Sequence, residues 1–202
     1  MSTPPEIIDA LESVLEIYFS GVRHRERAAF ILCDNLVEMT CKSKAQQHNH
    51  RFDMSCTFHE ACQSPDVALP PDLTTRVKGY RNTRNNMQHA SAAGTVDLHH
   101  CATSILDGVR VIDHCWTDTS TTRFPGRIKC ALRIVWLYSS EGDVSLRETF
   151  ETKMQRKRWR TQEEKVSVTG RQIQPGVRDY WYVAIRMQTP LVEECLNEVG
   201  VL

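Results

Sequence analysis

The chain lacks a long apolar run. Its longest, AAFILC and YWYVAI, fall far short of the ~20 residues that a bilayer-spanning helix needs, so no membrane span is expected. The first residues, MSTPPEIIDA, lack the basic segment and apolar stretch of a secretory leader, which makes the cytoplasm the expected location. Net charge is also missing: 25 Lys and Arg balance 25 Asp and Glu, which removes any global attraction to nucleic acid or to an anionic membrane. The nine glycines form no Gly-rich phosphate loop, no paired CxxC is present, and no serine or cysteine stands in a nucleophile motif. Eight cysteines could pair in principle. In a chain long enough to bury a core and without a secretion signal, they are instead expected to be small buried apolar residues.

What the chain does have is helical periodicity. Thr3-Pro4-Pro5-Glu6 reads as a capping box, and Ile7, Leu11, Val14, Leu15 and Tyr18 then fall on one face. A second helix is expected over about 25–44, where Ala29, Leu32, Cys33, Leu36, Val37 and Thr40 recur at three- and four-residue steps and Glu38 and Lys42 form an exposed i,i+4 pair. Residues 45–70 lose the period and read as a connection with at most a short helix near 58–62. A third helix should start at Pro71-Asp72, with Asp72 as its cap, and stop at Gly94. A fourth runs from about Thr95 to Trp116. These four predict a bundle over residues 1–116.

The hydroxyl-rich TDTSTTRFPG reads as a linker at 117–126, followed by a small domain at 127–202. There Ile128 to Trp136 predicts one helix and 144–159 a second. Val166 and Val168, the Pro175-Gly176 turn signal and DYWYVAIRM then predict a β-hairpin. Helices followed by a hairpin make this part α+β and winged-helix-like, an analogy at the level of fold alone. The basic run KMQRKRWR at 153–160 can neutralise phosphates, although a solvated helix end accounts for it equally simply.

The densest polar stretch is RNTRNNMQHA, residues 81–90. On an ideal helix Asn85 and His89 lie about 40° apart, with Arg81 one turn earlier and Arg84 about 140° from His89, a gap that a long side chain spans. Histidine titrates in the range for general acid or base work and a guanidinium matches phosphate oxygens, the two functions that cleavage of an RNA phosphodiester requires. A solvated helix face is the competing reading of the same residues.

Arg84-Asn85-Asn86-Met87-Gln88-His89, an arginine followed by a polar residue and then a histidine, resembles the hallmark of the HEPN domains, all-α nucleases and nucleotide-binding modules of toxin–antitoxin and anti-phage systems. The resemblance spans roughly residues 5–116 and includes ILCDNLVEMTCK on the second helix. It implies a mainly α, HEPN-like bundle and a metal-independent endoribonuclease without a cofactor. A homodimer would place two motifs across a shared cleft, with RNA as substrate and an antitoxin or other defence-system protein as partner. Arg84, Asn85 and His89 would be catalytic, and Arg81 and Gln88 would line the substrate groove. The branch of the family modified at a tyrosine two residues after the histidine is not matched, because Ser91 stands there. The alternative is a non-catalytic HEPN-like module that binds nucleic acid or a partner. A third class, a zinc-dependent binder, draws on His48, His50, Cys56, His59 and Cys62, where isolated small and polar residues are the simpler explanation.

Overall fold

The computed structural model describes residues 3–20, 23–89, 96–116, 124–154 and 189–201. The described chain is mainly helical and contains no strand. Its helices are α1 (Pro5–Tyr18), α2 (Arg25–His48), α3 (Phe58–Gln63), α4 (Pro71–His89), α5 (Leu98–Cys115), α6 (Gly126–Tyr138), α7 (residues 144–154) and α8 (Thr189–Val199).

Helix α2 is the central element and packs against α1, α3, α4 and α5, while α5 in turn carries α4 and α6. The apolar stripes explain this order. Leu11 and Leu15 of α1, Phe30, Leu36 and Val37 of α2, and Ile105 and Ile112 of α5 are all buried in one cluster. Each such side chain contributes about 1.5–3 kcal/mol through removal from water. Helices α2 and α5 approach closely because Gly108 presents no side chain; a Cβ there would lie 3.1 Å from Cys33 Sγ.

The expected box at Thr3 and Glu6 is not formed. Pro4 is the cap, with no side-chain cap bond, and Pro5 opens the helix. Proline's fixed φ suits both positions. A true capping box opens α3 instead, where Thr57 and Glu60 exchange hydrogen bonds. Asp72 does not cap α4 but sits in its first turn, 3.3 Å from Arg76. Helix α4 is described from Pro71 to His89, and its expected stop at Gly94 lies among residues 90–95, outside the described part. Helix α5 begins at Leu98, capped by Asp97, whose side chain accepts from the His100 N–H at 2.7 Å.

Beyond α5, α6 and residues 144–154 appear as helices where periodicity predicts them, and Phe150 is fully buried. The residues expected to form the hairpin, 166–168 and 179–187, and the basic run from 155 to 160 lie outside the described residues. The described residues after 126 form helices and short turns with no strand, so nothing in them supports an α+β unit. One apolar cluster continues from Ile7 to Val201, and Arg127 of α6 grips Glu12 of α1 at 2.6 and 2.8 Å. The described part of 127–202 therefore shares a core with the first five helices.

Helix α8 carries no expectation from periodicity, yet its Val192, Cys195, Leu196 and Val199 are buried. Gly200 terminates it at φ +81°, with Val201 N–H bonded to Leu196 O and Gly200 N–H to Asn197 O, a Schellman closure.

Gly108→Val places a branched side chain against Cys33 and Val37. It should cost about 1–3 kcal/mol in urea unfolding, whereas an unchanged midpoint would mean that α2 and α5 can part without penalty.

Candidate functional site

Helix α4 has few buried apolar residues, chiefly Leu73, Val77 and Met87. Charge does much of its docking. On one side Asp107 of α5, fully buried, accepts from Arg76 Nε at 2.9 Å, Tyr80 Oη at 2.7 Å and Arg110 Nη1 at 2.7 Å. On the other, Asp34 of α2 lies 3.1 Å from Arg81 Nε and 3.4 Å from Arg84 Nε. The structure thus brings Arg81 and Arg84 together on a buried carboxylate.

Their environments differ. Arg81 also pairs with Glu38, and its guanidinium lies 4.3 Å from the centroid of the Phe58 ring, a cation–π contact with α3. Its side chain is only 16% exposed. Two carboxylates and an aromatic face use its charge, so it buttresses the site rather than facing an open groove. Glu38, expected in an exposed pair, is 2.8 Å from Lys42 but shielded, and shared with Arg81. Arg84 is held by weaker partners: Nη1 donates to Asn85 Oδ1 at 3.0 Å and Nη2 to Asn35 Oδ1 at 3.4 Å. Asn35 is exposed. The Nε atoms of both arginines and Oδ2 of Asp34 make no hydrogen bond among the described residues. Their attraction is therefore Coulombic rather than directional.

Gln88 is exposed on the last turn of α4 and Asn85 is half-buried. His89 is the final residue of that helix, and its side chain lies outside the described part. The turn that bears it is fastened by a residue that sequence reasoning missed: Arg27 of α2 donates from Nη2 to Met87 O at 2.6 Å. A basic residue on the final carbonyls of a helix satisfies groups that would otherwise lack partners and complements the helix dipole. The only sequence signal for it is an arginine in the first turn of α2, which without the fold has no address.

Burial pushes the Asp34 carboxyl up, against the pull of Arg81 and Arg84. For Glu38 burial also pushes upward, but hydrogen bonds and charge from Lys42 and Arg81 outweigh it and leave the carboxyl below its usual range.

A cavity of about 510 Å³ lies at the opposite end of α4, lined by Pro70, Asp72, Leu73, Arg76, Arg110, His114 and Glu141. Its guanidiniums are already paired with Asp72, Asp107 and Glu141. His50 and His59 are exposed, whereas Cys62 turns inward to Cys41. Among the described residues no group of three or more His, Cys, Asp or Glu could hold a metal ion. No helix of the described chain is long and apolar enough to cross a membrane. No family model, curated protein or solved structure matches the chain.

A pH series checks the charge assignments. Glu38, with a lowered folded pKa, contributes stability that is present above pH 4.5 and lost as pH falls through the folded value. Asp34 runs the other way: its contribution is full below pH 3.8 and lost as pH rises through its raised folded value. Glu38→Gln should therefore flatten the loss of urea stability between about pH 5 and 3. A slope equal to wild type would remove Glu38 from the account.

Proposed function

We propose that the chain is a metal-independent endoribonuclease of the HEPN type, acting in the cytoplasm as part of a toxin or anti-phage defence system. The observation that carries this reading is the pairing of Arg84 with Asn85, five and four residues before His89 on one helix whose final turn Arg27 fastens. In this reading α1, α2, α4 and α5 are the HEPN-like bundle.

The chemistry assigns His89 to the proton and Arg84 to the phosphate. The RNA 2′-oxygen attacks the adjacent phosphorus as a base removes its proton, charge builds on the phosphoryl oxygens, and an acid protonates the departing 5′-oxygen. A guanidinium beside those oxygens stabilises the charge. Asn85, which accepts from Arg84, orients the guanidinium. One imidazole cannot serve as base and acid in the same step, so the site is composite in a homodimer, with the histidine of a second copy completing it. Gln88, exposed one residue before His89, lines the groove. Arg81 supports the site through Asp34 and Glu38.

One observation favours a second reading, a non-catalytic module that binds nucleic acid or a partner protein. Arg84 is only 20% exposed and already lies 3.4 Å from Asp34, as a purely structural arginine would.

Incubation of a labelled RNA with the protein in the presence of a chelator separates the two. The nuclease reading expects cleavage that falls by about 10²–10⁴ in His89→Ala and by about 10²–10³ in Arg84→Ala. RNA left intact by wild type and both variants, with or without a partner, would leave only the binding module.

A further inference from the structure

Three thiols from three helices converge beside the arginine cluster. Cys41 of α2, Cys62 of α3 and Cys115 of α5 are all buried and free. Cys41 Sγ lies 3.9 Å from Cys62 Sγ, and the neighbouring Cys115 and Cys62 thiols, together with burial, push the Cys41 thiol up. A metal would be the first occupant to consider, but no described group of three His, Cys, Asp or Glu is arranged to hold one. Thiol pairs have a second chemistry, and here it has a structural address. Helix α3 is only six residues long and carries Phe58 and Cys62 four residues apart, on one face. Phe58 supports the Arg81 guanidinium and Cys62 meets Cys41.

We propose that Cys41 and Cys62 form a reversible redox pair, oxidised by a hydroperoxide to a disulfide that fastens α3 to α2 and fixes the Phe58 ring against Arg81. The order of events follows from the surroundings. A hydrogen bond from Cys41 holds the Cys62 thiol below its usual range; burial opposes this, and the charges of Lys78 and Arg81 add to it. Cys62 is thus the first to react, since the thiolate is the nucleophile. Its sulfur attacks the terminal peroxide oxygen, forming an S–O bond as the O–O bond breaks, so that the sulfur is oxidised by two electrons and the other oxygen departs as alkoxide, or as hydroxide from hydrogen peroxide. Cys41 Sγ then attacks the Cys62 sulfur, the S–S bond forms, the S–O bond breaks, and the leaving hydroxide takes the Cys41 proton as water. The sulfurs must close from 3.9 Å to about 2.05 Å. Both are buried, so the oxidant enters when α3 opens locally, and that opening sets a slow rate.

The proposal does not depend on RNA cleavage. The full-length protein is treated with hydrogen peroxide in native buffer, freed of peroxide, then unfolded, alkylated in denaturant and digested for mass spectrometry. Two of the eight thiols should resist alkylation, a peptide pair linked through Cys41 and Cys62 should appear, and dithiothreitol should reverse both. The cross-link closes a loop of about 20 residues, which should raise the thermal midpoint by about 5–10 °C. Cys62→Ser should abolish that rise. Should Cys62→Ser fail to fold, the linked peptide from wild type still decides. Eight alkylatable thiols after treatment, a Cys41–Cys115 link in place of Cys41–Cys62, or a link formed only in urea would each overturn the proposal.

Discussion

The position of α4 rests on two buried carboxylates. Asp34 on α2 and Asp107 on α5 take hold of five groups: Arg76, Tyr80, Arg81 and Arg84 of α4, and Arg110 of α5. A helix this poor in buried apolar side chains could not otherwise stay fixed between two neighbours. Removing one carboxylate would leave a cluster of guanidiniums at a helix interface, an outcome more costly than losing an equivalent pair of apolar contacts. The ion pairs are therefore a placement device as much as a source of stability. They determine where on the molecule Arg84 sits.

That device also distributes roles among residues of one chemical type. Arg81 and Arg84 are three apart in sequence and share Asp34, yet Arg81 has Glu38 and Phe58 in addition, whereas Arg84 has two amide oxygens. A carboxylate neutralises a guanidinium; an amide only orients it. Arg84 is thus the less neutralised of the two, and Arg81 the more firmly held.

Periodicity made the main helices legible. Stripes such as Ile7, Leu11, Val14 and Leu15, or Cys101, Ile105 and Ile112, are buried as a 3.6-residue repeat demands. The caps were harder to read. Thr3 and Glu6 carry the right letters, but Pro4 and Pro5 start the helix, while the box that does form, Thr57 with Glu60, precedes a helix too short to show a repeat. Helix α8 is not legible from periodicity although Gly200 follows it, because it is short and adjoins the aromatic, β-branched stretch, whose pattern is that of strands. Composition singles out 81–89 as the candidate site, but which carboxylates its arginines meet is not legible there. Glu38 looked like a surface partner of Lys42, and only tertiary packing brings Arg81 to it. Arg27 could not be assigned for the same reason: its acceptor is 60 residues away in sequence.

The contacts between α2 and α4 run in opposite senses: Arg27 meets Met87, Asp34 meets Arg84, and Glu38 meets Arg81. The two helices are therefore antiparallel and notched together at three heights, spread over about 16 Å of α2. Apolar surfaces tolerate sliding, since one leucine greets another almost as well. Paired charges do not: a slip of one turn, about 5.4 Å, would unseat both ion pairs at once. Alignment of this helix pair is consequently all-or-none, and the final turn of α4 inherits that discreteness.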